Sequence, residues 1–166
     1  MGFTATGIST TTVTTTQQAP LGFKLTVPDG DAGTQEWTYV LADEAFVIGD
    51  IAVVNTTGLA ANTGFHAIVS NGGEGKVMVL GVAQHAIASG SYGFVQSGGQ
   101  ADYVKGDNNV QAGELIVPDA AGVADTFTDG EAELVFGYAL ADDDANAAAT
   151  GHSVPVFAAM LDCGTK

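Results

Sequence analysis

The feature that most constrains this chain is a segment written twice. Displaced by 64 positions, Tyr39, Val40, Asp43, Gly49, Val53, Gly58 and Ala60 fall on Tyr103, Val104, Asp107, Gly113, Val117, Gly122 and Ala124. Asp50 over Glu114 and Ile51 over Leu115 keep the chemistry. The copied pattern is a strand, a Gly-acidic turn, a second strand and another Gly turn. None of the matched residues is a typical catalytic group, so what is copied is scaffold. With one gap the match continues, Val79-Leu80-Gly81-Val82-Ala83 resembling Val135-Phe136-Gly137-Tyr138-Ala139 at an offset of 56. The pattern predicts two related β units, about residues 37–96 and 101–161. The alternative is chance reuse of turn chemistry in a small β protein.

The rest of the chain follows the same grammar. In Leu21, Phe23, Leu25 and Val27 apolar residues alternate with Gly22, Lys24 and Thr26, the period of a half-buried strand. Pro28-Asp29-Gly30 then reads as a turn. Further short strands are expected over 36–41, 50–55, 65–69, 92–96, 102–104, 114–117, 123–127, 133–140 and 153–161. Lys76 to Val82 is a nearly continuous apolar run, which predicts a central strand covered on both faces. Turn signals recur roughly every 8–14 residues, the spacing of an all-β fold. The expectation is a small β-barrel or β-sandwich of short antiparallel strands. Helical turns are expected only at Asp142 to Ala149, whose acids suit a helix start, and at Asp43 to Val47.

Residues 1–20 have another character. From Thr4 to Thr16, eight of thirteen residues are threonine. Such a segment buries too little apolar surface to fold alone, while its β-branched residues favour extended backbone. Two readings stand: a flexible tail, or an arm ordered against a neighbouring subunit. Ile8 and Val13 in this segment, with Leu21 and Phe23 at the start of the 21–166 β domain, are the candidate interface residues.

Charge removes whole classes of function. The basic residues are Lys24, Lys76, Lys105 and Lys166, with no arginine, against 19 acids for a net charge of −15. A nucleic-acid partner needs cations to displace phosphate counterions, and an anionic membrane repels the chain for the same reason. No nucleic acid and no membrane is therefore expected as a partner. The acidity suits solubility at high local concentration. Cys163 is the single cysteine, so no internal disulfide forms. No basic-apolar leader and no membrane-length apolar run is read, which points to folding in a cytosol.

Chemistry-bearing patterns are sparse. Asp142-Asp143-Asp144 and the Asp29-Gly30-Asp31 turn offer oxygens for calcium but lack the spacing of an EF-hand loop. His66, His85 and His152 show no metal-ligand spacing, and alternation sets His66 opposite Phe65 and Ala67. Ser70, Ser89, Ser91 and Ser97 lie near glycines, but none in a nucleophile elbow. Gly72-Gly73 and Gly98-Gly99 lack the lysine of a phosphate loop. No catalytic residue, no metal and no cofactor is assigned. Trp37, Tyr39, Phe65, Tyr92, Phe94 and Tyr103 fall in strands, as core or cross-strand pairs.

Three stretches carry a family resemblance. Gly81-Val82-Ala83-Gln84, Ala86-Ile87-Ala88-Ser89-Gly90 and Tyr92-Gly93-Phe94-Val95-Gln96 resemble the strand-turn-strand motifs of small tailed-bacteriophage virion proteins. Val110 to Gly122 is similar to a second stretch of the same proteins, and Gly137 to Asp142 to their next strand. The resemblance covers roughly residues 37–142. It implies a capsid decoration, or cement, protein: a non-enzymatic β domain bound in many copies to the outside of a phage head. The implied partner is the major capsid protein, and attachment at three-fold positions favours a homotrimer. The implied location is the virion surface, after assembly in the host cytoplasm. The Thr-rich start and Asp142-Asp143-Asp144 are not part of the family pattern, which leaves the attachment mode open. Three rival readings remain: another virion role, such as a head-fibre base or tail-tube subunit; a carbohydrate-binding β module using the strand aromatics; and, ranked last, a hydrolase.

Overall fold

The computed structural model describes residues 9–28, 33–57, 64–71, 78–107, 109–128 and 134–142, with the backbone of 156–158. Ten strands and no α-helix occur among them. They are β1 (Lys24–Pro28), β2 (Thr34–Ala42), β3 (Ile51–Val54), β4 (His66–Val69), β5 (Val79–Val82), β6 (Ser91–Ala101), β7 (Leu115–Pro118), β8 (Ala124–Thr126), β9 (Gly137–Ala139) and β10 (Val156–Ala158). The fold is all-β, a five-stranded barrel joined to a second small sheet.

The barrel closes in the order β2-β4-β3-β5-β6 and back to β2. A closed ring of five strands cannot be antiparallel throughout, because directions that alternate around an odd ring fail to match at closure. The mismatch is taken up between β2 and β4, which run parallel through Leu41↔His66 and Ala42↔Ala67. The other four pairs are antiparallel. Strand β2 is buried on both faces because the period of 2 serves two clusters. Val40 and Ala42 enter the main core, while Trp37 and Tyr39 join Ala19 and Phe94 in a smaller cluster outside the barrel.

The second sheet repeats the first in register. Ile51↔Val82 and Ala52↔Gly81 between β3 and β5 reappear as Leu115↔Tyr138 and Ile116↔Gly137 between β7 and β9. The three β3–β4 pairs, from Ala52↔Val69 to Val54↔Ala67, reappear as Ile116↔Thr126 to Pro118↔Ala124. Even the parallel Ala42↔Ala67 contact has a counterpart in the bridge Gly106↔Ala124. The Gly-acidic turns explain why that signature occurs twice. Asp50 N–H donates to Val47 O at 3.2 Å and Glu114 N–H to Gln111 O at 3.1 Å. The acidic side chain then reaches back to accept the first residue's N–H, Val47 to Asp50 Oδ2 and Gln111 to Glu114 Oε2, both at 2.7 Å. Glycine in the third position supplies φ of 87° and 89°, the left-handed conformation this turn type demands.

Strand β6 binds the two sheets together. Its first part pairs with β2 and its last three residues with β10. Gly98-Gly99 thus lies inside a strand. At Gly99, with φ 83°, a side chain would collide with the Thr34 carbonyl oxygen. The main core runs from Val40 and Phe46 through Val104 to Ile116 and Phe136, so both sheets share one interior. Ser70 adds a polar stitch, donating through Oγ to Asp119 O at 2.6 Å and accepting Gly122 N–H at 3.0 Å.

Three local expectations change. Leu21 to Phe23 is a turn rather than the start of β1, with Gly22 at φ 80° against the Phe65 ring. Asp43 to Val47 is a bend, because Phe46 spends its backbone groups on Ile87 instead of a helical turn. Residues 102–104 form no strand, and the chain bridges only at Lys105 and Gly106. One short 3₁₀ turn, Ala120–Gly122, was not expected; Ala121 within it has φ 58°. The helix expected over Asp142–Ala149 lies outside the described residues after Asp142, as do Asp29-Gly30 of the expected turn and Gly72-Gly73.

Candidate interaction surface

The candidate interface residues fall in different settings. Ile8 lies outside the described residues. Val13 packs against the main core, and its neighbour Thr14 exchanges both backbone bonds with Tyr92, at 3.0 and 2.7 Å. Gln18 N–H donates to the Tyr39 hydroxyl at 3.1 Å. Ala19 is buried over Trp37, Tyr39 and Phe94, and Leu21 packs beside it. Residues 9–20 therefore lie on their own barrel. Phe23 sits edge-on to Phe94, with ring centres 6.5 Å apart, and is 37% exposed.

A broader apolar face lies on the second sheet. Leu115 and Tyr138 are register partners and stand side by side. They are 43% and 37% exposed, and Leu140, two residues on, is 38% exposed. Their counterparts in the first unit, Ile51 and Val82, are fully buried. The sequence pattern cannot separate these pairs, since each is an apolar residue in a strand. What differs is whether other parts of the chain cover them.

The polar clusters hold structure together. Asp43 accepts Asn55 Nδ2 at 2.6 Å and faces His66 Nδ1 at 3.2 Å. If Nδ1 carries the proton, as this carboxylate favours, Nε2 is left as an acceptor. The Ser89 hydroxyl donates to the Asp43 carbonyl at 2.8 Å and closes a turn. Asp50 is buried and pairs with Lys105 across the junction between the two units. His85 has both ring nitrogens shielded from solvent without a hydrogen-bond partner, and burial lowers its pKa. Burial raises the pKa of Asp125, with Asp107 and Asp119 adding to the rise and the Thr126 N–H opposing it.

No metal-holding cluster is assembled among the described residues. No three His, Cys, Asp or Glu side chains there are placed to hold an ion. Asp29-Gly30-Asp31, Asp143-Asp144, His152 and Cys163 lie outside them. Trp37, Tyr39 and Phe94 are buried together rather than laid out as an exposed stacking face. The geometry offers surfaces for contact. Compared with models of known protein families, with curated proteins and with solved structures, the chain matches none.

Proposed function

We propose that this chain is a non-enzymatic virion structural protein that binds the outside of a tailed-phage capsid in many copies and stabilises the shell. The observation that carries the reading is the resemblance of roughly residues 37–142 to capsid decoration proteins. Its motifs coincide with contiguous elements: 81–84 with the end of β5, 86–90 with the Ile87 bridge to Phe46, and 92–96 with the first half of β6. Uncovered apolar side chains on a strongly acidic molecule support a role in contact. A modest gain per copy becomes large when one subunit bridges several shell neighbours. On this reading the partner is the major capsid protein and the subunit is a homotrimer at three-fold positions, without cofactor, nucleic acid or membrane.

Electron microscopy and mass spectrometry of purified virions test the proposal. The chain is expected on the outer head surface in a copy number set by the lattice. Virions that lack it, or carry it only in the tail, refute the reading. Residues 9–20 are held on their own barrel, and the proposed contact with the shell or a neighbouring subunit is the whole arm, residues 1–20. Their deletion should weaken attachment to the shell.

A further inference from the structure

The two Gly-acidic turns form an internal control on what the fold requires. Both have glycine at positive φ, the same closing backbone bond and the same carboxylate lock. The second turn achieves this with Gln111-Ala112 at its tip. The first carries Val47-Ile48 instead, 51% and 44% exposed. The twin turn shows that the backbone does not call for apolar side chains there, and at this exposure they gain little from packing.

A third exposed apolar group stands nearby. Gly49 O accepts Lys105 N–H at 3.0 Å, and Gly49 N–H reaches Ala83 O at 2.7 Å. The Gln84 side chain grips the Tyr103 backbone twice, at 2.8 and 3.1 Å. Segments 47–49, 83–84 and 103–105 therefore converge. Tyr103, held in this way, remains 46% exposed. Exposed Asp102 directly precedes Tyr103, while the Glu44 carboxylate accepts Val69 N–H at 3.2 Å. Among the described lysines, Lys105 is paired with Asp50 and Lys24 faces Glu36.

From this convergence we propose that Val47, Ile48 and Tyr103 form a docking tip for a protein surface that presents an apolar socket rimmed by Lys or Arg. The inference rests on the proposed function, in which that surface belongs to a shell subunit. Charge complementarity selects the occupant. A chain of net charge −15, with Asp102 exposed beside Tyr103, repels a second copy and attracts a basic partner. The apolar trio supplies the anchor at the centre, and the negative charge speeds and orients the encounter.

The test gives the first tip its twin's residues, Val47→Gln with Ile48→Ala. The variant is expected to keep the wild-type melting temperature and Trp37 emission, because the second turn forms with those residues. Shells of the phage that encodes the chain, stripped of it, are titrated with both proteins. Wild type binds, and the variant binds about 100-fold more weakly. Asp102→Lys, a change at an exposed position, lowers affinity several-fold and flattens its salt dependence. Equal binding by wild type and both variants overturns the tip assignment and leaves the shell reading standing. No binding by wild type overturns the shell reading itself. A wild-type oligomer that the double substitution dissociates in sedimentation assigns the tip to a second copy and overturns the choice of partner.

Discussion

Removing the Asp50 carboxylate should cost far more than removing its counterpart in the second unit. Asp50 has 5% of its side chain exposed and Lys105 has 23%, so Asp50→Ala leaves a largely buried ammonium without its counter-ion. Breaking a buried pair from one side typically costs about 3–5 kcal/mol. Lys105 can turn its amine partly toward water, which places the loss near the lower end, about 3 kcal/mol. Glu114 accepts Gln111 N–H and the Thr126 hydroxyl, and no cation pairs with it among the described residues. Glu114→Ala should therefore cost about 1 kcal/mol. For a chain of this size the melting temperature should fall by about 6–12 °C for Asp50→Ala and about 2–4 °C for Glu114→Ala. Urea unfolding followed by fluorescence of Trp37, the single and buried tryptophan, reads both values. Adding Lys105→Met to Asp50→Ala should recover much of the loss, because no unpaired charge then remains. Equal losses at positions 50 and 114, or no recovery in the double variant, would refute the reasoning.

Three further outcomes are expected. The pKa of His85 is lowered in the folded state, so the unfolded chain takes up a proton first as pH falls. Stability should drop as pH falls below about 6.5 and level off below the folded pKa, and His85→Phe should flatten that slope in pH-resolved unfolding; an unchanged slope would assign it elsewhere. Asp125 has the opposite sign: its raised pKa gives stability that is full below the ordinary carboxylate pKa and lost as pH rises through the folded one. Asp125→Asn should thus stabilise the protein at neutral pH and have little effect in acid, whereas a loss at pH 7 would contradict this. Ala121 adopts a left-handed conformation at φ 58°, so Ala121→Gly should raise stability by about 1 kcal/mol, and an unchanged urea midpoint would show no strain there.

Much of the architecture is legible before folding because it is written locally. The short runs 36–41 and 65–69, set off by turn residues, mark β2 and β4 to within two residues. The Gly49-Asp50 and Gly113-Glu114 signatures mark real turns, since positive φ and a carboxylate three residues from its N–H are matters of a four-residue span. The candidate surface was far less legible. Leu115 and Ile51 read alike as strand residues, yet one is 43% exposed and the other buried. Nothing near Lys105 announces that its partner is Asp50, 55 residues away.

The sequence by itself determined the all-β class, the position of most strands, the twofold repetition and the strong negative charge. These follow from side-chain period, backbone φ and net charge, none of which depends on distant contacts. Tertiary structure alone decided the parallel β2–β4 closure, which an odd ring imposes. It also decided the docking of Ala19 over Trp37 and Tyr39 and the exposure of one unit's strand face but not the other's. Those outcomes depend on how ring closure and burial place segments far apart in the chain, and no window of sequence contains that information.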